Sequence, residues 1–368
     1  MNRTLASALA AAVVGSTAGA IAATQLAGDG GGTPTATRSS GTTESPGDGE
    51  PATAAPDPAL DGVLWANQRS LHDGDQEVAI HLIDRPAELH RTATGWLMTT
   101  MASPQEPSYE AWRVDADGST IFLAETFGRG DVSRDGTRYA AMRDDGRGYG
   151  IWDTATGELV QTVRAPEAGW WPGGLASFSD DVATLLAEWR TDEEEPRVIA
   201  TRLGSGEHRV VADDLVGASW NASPDGSWLA GISATESDPE AGVETCADIR
   251  STADPSDRLV DCGSTFGGYP SFSPDGTRLL TVVPPLDGFG PALFRVLDSA
   301  ERTMLGEVDA PDAVLEGKFL DDDEVLLLGA RNLDGDGTVI YRCDLDGACD
   351  PVARAGDAAE TAVLGDTN

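Results

Sequence analysis

Short apolar stretches alternate with turn-forming residues from about residue 60 to the last residues of the chain. Within most stretches, apolar and polar positions alternate one by one, which is typical of β-strands with one buried face. The stretches are too short for ordinary helices, and clusters of Gly, Asp, Ser and Thr separate them. The pattern therefore predicts an all-β chain in which short strands are joined by tight hairpins.

One type of turn recurs, and an apolar run follows each copy. In Ser-Pro-Asp-Gly, Pro presets φ, the Asp side chain bonds back to the backbone, and Gly takes a positive φ. The copies begin at Ser223 and Ser273, a variant begins at Ser133, and degenerate copies begin at Ser179 and Leu320. We expect a hairpin at each of these places.

The hairpins define a repeat of about 45 residues, which is the length of a four-stranded β-propeller blade. Equivalent apolar residues mark its second strand: Leu97, Tyr139, Leu185, Leu229, Leu279 and Leu326. A second hairpin follows each marked strand. Residues 61–84 resemble a further blade without its first strand, which the tail from Thr361 to Asp366 could supply. The prediction is a β-propeller of seven four-stranded blades, closed by strands from both ends, with six blades as the alternative.

The repeat resembles those of known propellers. Ser-Pro-Asp-Gly-x-x-Leu, preceded by an aromatic residue such as Trp220 or Phe272, is similar to the WD40-like repeat of TolB-type propellers. Ile151-Trp152-Asp153 is similar to the Trp-Asp strand of WD40 blades, although no Gly-His precedes the blades. The resemblance covers about residues 90–355. It implies the fold of an exported bacterial protein but no single function, because such propellers include scaffolds, binding modules and enzyme appendages.

The sequence before the repeats predicts export. Residues 1–28 contain a long uncharged Ala-rich run with an Ala-x-Ala site, which is typical of a signal peptide; an uncleaved anchor is the alternative. Residues 29–59 are rich in Gly, Thr, Pro and Ser and predict a disordered linker. Residues 60–368 form the predicted propeller. We expect the folded part to be extracellular or at the cell envelope, with the membrane reached only through the possible anchor.

The four cysteines occur as two close pairs. We predict the disulfides Cys246–Cys262 and Cys343–Cys349, because each pair flanks a turn-like segment. A zinc site is the less favoured alternative, since no Cys-x-x-Cys motif and no nearby His are present.

Charge narrows the possible partners. The net charge is −37, and Lys318 is the only lysine. A nucleic-acid binder needs clustered basic residues, so we expect no nucleic-acid partner. We expect a monomer that binds a protein, a peptide or cell-wall carbohydrate.

Little catalytic chemistry is visible. No Gly-x-Ser-x-Gly motif occurs, and we interpret His72, His81, His90 and His208 as structural because they are scattered. Asn332 to Gly337 resembles the start of a calcium loop, but Cys343 stands where a bidentate Glu is needed. No cofactor is therefore predicted beyond a weak possibility of calcium. Arg129-Gly130-Asp131 is expected in a loop, where chance explains this tripeptide.

Aromatic residues form the candidate ligand site. Loops that join successive blades would open on one face of a propeller and surround its channel. The candidate residues are Phe127, Trp170, Trp171, Trp220, Phe266 and Tyr269. Aromatic rings beside acidic groups suit carbohydrate, peptide or cationic ligands. The alternative is that these rings pack between blades.

The favoured function is a non-catalytic binding or protein-interaction platform at the cell envelope. The alternative is a hydrolase or lyase that acts on polysaccharide or peptide in a central funnel. Carboxylates clustered with a His or Tyr and a metal at the channel mouth would favour the enzyme. Aromatic and backbone groups alone would favour binding.

Overall fold

The computed structural model describes residues 60–82, 84–103, 106–179, 182–191, 196–235, 244–266, 270–283, 291–330, 337–356 and 362–366. The predicted leader (residues 1–28) and linker (residues 29–59) lie outside these ranges. All regular elements of the described part are β-strands, apart from a one-residue 3₁₀ assignment at Leu60. This part contains no helix with the length and hydrophobicity needed to cross a bilayer.

The strands follow the hairpin order that the sequence predicts. The first half of the chain contains β1 (Leu64–Ala66), β2 (Ser70–Asp73), β3 (Gln76–Ala79), β4 (Arg85–Thr92), β5 (Gly95–Ser103), β6 (Glu106–Val114), β7 (Thr120–Val132), β8 (Arg138–Arg143), β9 (Tyr149–Asp153), β10 (Leu159–Val163), β11 (Trp171–Phe178), β12 (Thr184–Arg190), β13 (Pro196–Arg202) and β14 (Glu207–Ala212).

The second half contains β15 (Leu215–Ala222), β16 (Trp228–Thr235), β17 (Glu244–Ser251), β18 (Arg258–Asp261), β19 (Ser271–Phe272), β20 (Arg278–Val283), β21 (Pro291–Asp298), β22 (Met304–Phe319), β23 (Glu324–Ala330), β24 (Thr338–Asp344), β25 (Cys349–Gly356) and β26 (Val363–Leu364).

These strands form five antiparallel sheets. Three have four strands, in the orders β26-β1-β2-β3, β11-β12-β13-β14 and β15-β16-β17-β18. The other two, β4 to β10 and β19 to β25, have seven strands each. Each seven-stranded sheet has one long strand that pairs with different neighbours along its two halves: β7 pairs with β6 and β8, and β22 with β21 and β23. Strand β26 pairs with β1 through Trp65–Leu364 and Ala66–Val363.

The predicted turns have the expected chemistry. Gly136, Gly226 and Gly276 have φ values of 69°, 68° and 76°. In the degenerate copy that begins at Ser179, Val182 has φ 53°, which a β-branched residue rarely adopts. A hydroxyl from the following hairpin donates to the glycine carbonyl in three units: Thr154 to Gly136 (2.7 Å), Thr252 to Gly226 (2.6 Å) and Ser299 to Gly276 (2.7 Å). These bonds fasten each repeated turn to the second hairpin of its unit.

Buried apolar side chains fill the space within and between the sheets. All six second-strand marker residues of the repeat are fully buried, as expected for the central positions of the sheets. Both predicted disulfides are present, Cys246–Cys262 and Cys343–Cys349. The first links β17 to the residue after β18, and the second joins β24 to β25.

Candidate functional site: a polar channel

The first strands of successive units surround a channel with a cavity volume of about 150 Å³. Residues of β4, β7, β11, β15, β19 and β22 line it, together with Asp366, which follows β26. The arrangement brings together residues that lie far apart in sequence. This channel is the candidate functional site.

One polar side chain from each of these elements forms a ring in the channel wall. The polar ring consists of His90, Asp131, Ser177, Asn221, Ser271, Lys318 and Asp366. In three complete units the ring residue stands two positions before the serine of the repeated turn: Asp131, Asn221 and Ser271. Alternate residues of a strand face the same side, so this position recurs on the channel side of each unit.

Lys318, Asp366 and His90 form the most strongly charged part of the ring. Lys318 Nζ lies 2.8 Å from Asp366 Oδ1, and His90 Nδ1 lies 2.9 Å from Asp366 Oδ2. Lys318 also donates to the Leu364 carbonyl at 3.0 Å. Burial alone would raise the pKa of Asp366, but the charges of Lys318 and His90 hold it well below its usual value. Asp366 is therefore ionised at neutral pH and joins the segment after β26 to β4 and β22.

Asp131 occupies the next position of the ring, on the far side of His90. Its Oδ2 accepts hydrogen bonds from the Phe178 amide (2.8 Å) and the Ser177 hydroxyl (2.9 Å), both from β11. Burial raises the pKa of Asp131 to about 6, although the nearby charge of His90 and these hydrogen bonds oppose the rise. This carboxyl group therefore gains or loses its proton close to neutral pH.

Glu88 lies two residues before His90 on β4 and also lines the channel. It accepts hydrogen bonds from Thr99 Oγ1 at 3.1 Å and from the Gly130 amide at 3.4 Å, and Arg129 Nε lies 3.7 Å away. Burial raises the pKa of Glu88 because these partners only partly offset the loss of hydration. Glu88 thus ties β4 to the second half of β7.

The remaining half of the ring is polar but uncharged. Asn221 Nδ2 donates to the Pro270 carbonyl at 3.1 Å, and Ser271 Oγ accepts a hydrogen bond from the Phe319 amide at 3.2 Å. Each bond joins one channel-lining strand to the next, like the bonds of Asp131 and Glu88. Most junctions around the channel are therefore fixed by a side chain of one lining strand that bonds to the next.

His90 stands out because its second ring nitrogen has no partner. The residue is only 4% exposed, and Nε2 lacks a hydrogen-bond partner within the described part of the chain. Nδ1 lies close to Asp366, yet its geometry is that of an ion pair and not of a well-aligned hydrogen bond. Burial would lower the pKa of His90, but the charges of Asp366 and Glu88 outweigh it and raise the pKa. A buried polar atom without a partner is costly for folding, and Nε2 of His90 is such an atom.

The structure places the six predicted aromatic residues at different depths. Trp220 is 3% exposed, lines the channel, and has Nε1 3.4 Å from Glu188 Oε2. Phe266 is also buried, among residues of β16, β17 and β20. Trp170 is half-buried beneath the Arg197 guanidinium, and Trp171 is 36% exposed. Phe127 is half-buried, and Tyr269 lies outside the described residues.

Of the five predicted aromatic site residues that the structure describes, only Trp220 lines the channel. The loop placement was wrong for Phe127, Trp171 and Trp220, which lie in β7, β11 and β15. The tripeptide Arg129-Gly130-Asp131 likewise lies in β7 and not in a loop. The lining strands begin earlier than the turn signals indicate, because their hydrogen bonds to the second strands continue through these positions.

Most members of the polar ring are not recognisable as site residues from the sequence. His90 was interpreted as structural, and Ser177, Asn221 and Ser271 received no role, nor did Glu88 beside the ring. The available signal was the polar residue two positions before the turn serine, which repeats in Asp131, Asn221 and Ser271. This repeated polar position can be interpreted only once these strands are known to surround a channel.

No group of three or more His, Cys, Asp or Glu residues in the described ranges is arranged to hold a metal ion. Most of the possible calcium loop, residues 332–336, lies outside those ranges.

No protein-family model and no curated protein matches the chain. Several solved structures, in contrast, are similar to the chain in fold. An oligogalacturonate lyase from Vibrio parahaemolyticus is 14% identical to this chain and has a TM-score of 0.55. The alignment includes 79% of this chain and 85% of the lyase. An oligogalacturonate lyase in complex with manganese is 18% identical and has a TM-score of 0.53, and the alignment includes 72% of this chain and 78% of that lyase. TolB from Acinetobacter baumannii matches at 15% identity and a TM-score of 0.43, over 76% of this chain and 66% of its own. The likeness is one of fold alone, and the predicted β-propeller fold is confirmed.

Proposed function

We propose that this protein is an exported, non-catalytic β-propeller that binds a protein or peptide partner at the mouth of its polar channel. The two disulfides support a location outside the reducing cytoplasm, because such bonds persist in oxidising compartments. In this proposal residues 1–28 direct export and residues 29–59 are a spacer. The partner makes its contacts with the propeller.

The proposed platform has seven blades. Division of β7 and β22 at the change of pairing partner turns each seven-stranded sheet into two four-stranded units. With the three four-stranded sheets, this gives seven units. In the first of them β26 is the lining strand beside β1, so strands from both ends of the propeller would close the ring. Closure would remove exposed sheet edges along the channel.

The observation that carries the binding proposal is how the channel groups are held. Asp366 is paired with Lys318 and His90, and the carboxylates of Asp131 and Glu88 accept hydrogen bonds from the next strand. Such groups form a preorganised polar wall, which favours recognition because little ordering is needed when a partner binds.

The test uses two variants that lose similar bonds in different places. Asn221 in the channel and Gln161 on β10 each donate an amide N–H to a backbone carbonyl at 3.1 Å. Asn221 Oδ1 also accepts a hydrogen bond from the Ala222 amide at 2.9 Å, so Asn221→Leu should lower the melting temperature somewhat more than Gln161→Met, and capture is compared at a temperature where both are folded. Purified wild-type protein and both variants would be used to capture partners from cell-envelope fractions. Asn221→Leu should lose capture of a wild-type partner at least about tenfold, and Gln161→Met should keep it. Equal capture by the two variants would contradict a channel site.

An enzyme is the second candidate, and the His90–Asp366 pair favours it. A histidine whose Nδ1 faces a carboxylate while Nε2 is unpartnered resembles a general base held by an orienting group. The fold is shared with oligogalacturonate lyases, one of them solved with manganese. Incubation with oligogalacturonate would decide: cleavage lost in His90→Gln would establish the enzyme, and no cleavage with or without added manganese would remove it.

A further inference from the structure

A wide groove lies outside the channel, at one end of strands β8, β9 and β10. Its volume is about 700 Å³, and its described lining shares no residue with that of the channel. The lining comes from the turn between β8 and β9 and from residues 164–168, which follow β10. Three arginines belong to it: Arg143, Arg147 and Arg164. The groove is therefore large and contains several cationic groups.

A glycine brings two of these arginines together. Gly148 has φ 146°, and a Cβ atom built there would collide with the Val163 carbonyl oxygen and lie 3.4 Å from Arg164 Cα. Only a residue without a side chain allows this close approach. Tyr149 pairs with Val163, so Gly148 lies opposite Arg164 in the register of β9 and β10. The backbone of Arg147, the residue before Gly148, is therefore beside that of Arg164.

Arg143 stands on the third strand and is held in place. Its amide donates to the Gly148 carbonyl at 3.0 Å, so Arg143, Gly148 and Arg164 form one cross-strand row. Residues of one row point to the same face of a sheet, and Gly148 leaves a gap between the two arginine side chains. The Arg143 guanidinium donates to Asp145 Oδ2 at 2.8 Å and to Thr162 Oγ1 at 3.3 Å.

The other two arginines are open to a ligand. Arg147 and Arg164 are both exposed, and neither side chain has a hydrogen-bond or ion-pair partner within the described part of the chain. Most other described arginines do have such a partner, as expected in a protein with 62 acidic residues. Two neighbouring guanidinium groups are therefore unpaired at the surface of a groove.

The carboxylates of the groove do not neutralise it. Asp145 is engaged by the Arg143 guanidinium and by the Arg147 amide at 3.0 Å. Glu167 is exposed and is the second carboxylate of the lining. The described lining thus contains three positive and two negative groups, although the net charge of the chain is −37.

We propose that this groove binds an acidic peptide segment of a partner protein, whose carboxylates pair with Arg147 and Arg164. A guanidinium can donate two parallel hydrogen bonds to one carboxylate, and bonds between ionised groups are the stronger ones. A single small anion would leave most of the groove empty, whereas a peptide segment also covers Ala165 and Pro166 in its lining. The groove is separate from the channel, so this inference goes beyond the proposed function.

The negative charge of the whole protein does not prevent this binding. At physiological ionic strength the Debye length is about 8 Å, so exposed acidic groups at larger distances are mostly screened. Glu167 is different because it lies in the groove itself and repels an acidic ligand there. Removal of its charge should therefore strengthen binding.

The experiment measures fluorescence anisotropy of a capped, labelled peptide in which Glu alternates with Ala, titrated with the full chain. The same peptide with Gln in place of Glu is the negative ligand, because it keeps the shape of the side chains and loses their charge. Wild-type protein should bind the Glu peptide at least about tenfold more tightly than the Gln peptide, since two ion pairs are lost.

Two variants of opposite effect test the groove. The double variant Arg147→Gln/Arg164→Gln should bind the Glu peptide about tenfold more weakly, and Glu167→Gln should bind it about twofold to fivefold more tightly. The matched control is Arg202→Gln/Arg354→Gln, which removes the same charge from two exposed arginines that also lack a side-chain partner within the described ranges. It should bind like wild type.

Each contrary result removes the inference. These results are no binding up to about 1 mM, equal affinity for the Glu and Gln peptides, and an equal loss in the two double variants. Free glutamate that displaces the peptide at equal concentration would show a small-anion site and overturn the peptide occupant. Arginine-dependent binding of the peptide would stand even if Asn221→Leu captured partners like wild type, since the channel takes no part in it.

Discussion

At the residue scale, the serine of the repeated turn has a structural role of its own beside Pro, Asp and Gly. Ser223 is fully buried, its hydroxyl lies 2.6 Å from Asp225 Oδ1, and it accepts a hydrogen bond from the Trp228 amide at 2.9 Å. The equivalent serines at 133 and 273 make the same two contacts. The serine side chain thus holds the turn closed and fixes the first residue of the second strand.

Ser223→Ala should destabilise the protein because it leaves the Trp228 amide without its side-chain acceptor. The expected loss is about 1–3 kcal/mol, or a fall in melting temperature of about 2–4 °C per kcal/mol. Calorimetry checks this result. Ser205→Ala is the control, since Ser205 is exposed and accepts one bond at 3.3 Å. An equal change in both variants would contradict the role of the turn serine.

The turn could be predicted from sequence because its chemistry is local: Asp225, Gly226 and Ser223 all lie within four residues. The polar ring could not. Asp131 and His90 meet Phe178 and Asp366 across long sequence separations, and nothing near either residue shows that its strand lines a channel. The raised pKa of Asp131 likewise depends on burial, which only the assembled sheets provide.

At the element scale, hydrophobic alternation located the strands well but not where the lining strands begin. Trp171 and Trp220 were expected in the loops that join successive blades. Both strands continue through these residues across irregular registers, between Pro172 and Ala176 and between Leu215 and Trp220. Backbone pairing across an irregularity leaves a weak sequence signal, because the alternation of buried and exposed positions is interrupted there.

The two disulfides stabilise outer hairpins of different size. Cys246–Cys262 spans 16 residues and Cys343–Cys349 spans 6. In the chain-entropy model, replacement of both cysteines by Ala should cost about 3 kcal/mol for the longer loop and about 2 kcal/mol for the shorter one. Urea denaturation of the two double variants measures these costs, and each variant serves as the control for the other. A larger loss for the shorter loop would show that loop entropy does not decide the order.

At the scale of the whole molecule, long-range polar contacts hold strands from both ends of the described propeller together. Strand β26 is only two residues long, and two residue pairs join it to β1. Beyond them, the Asp366 amide donates to the Leu89 carbonyl at 2.9 Å, and the Leu364 amide donates to Glu316 Oε2 at 2.9 Å. Charged and polar groups of the channel therefore supply much of the attachment that so short a strand cannot provide alone.

Asp366→Asn should weaken this attachment in a way that depends on pH. Asp366 has a lowered pKa, so its contribution is present throughout the range from mildly acidic to alkaline pH and is lost only as strong acid protonates it. His90 has a raised pKa, so its share is present below its unfolded pKa and is lost as the pH rises through its folded value. Lys318 stays charged and retains the remaining share.

The expected cost of Asp366→Asn is about 2 kcal/mol at pH 6, less than for a fully buried pair because Asp366 is 37% exposed. This cost should shrink as the pH rises through the folded pKa of His90, since one of the two cations then loses its charge. Chemical denaturation of wild type and variant, in a pH series from 6 to beyond the point where the NMR signal of His90 titrates, gives the difference directly. Asp346→Asn, in the exposed turn between β24 and β25, should show no such trend. A cost that stays constant over this range would mean that Lys318 alone holds the carboxylate and that His90 contributes by packing.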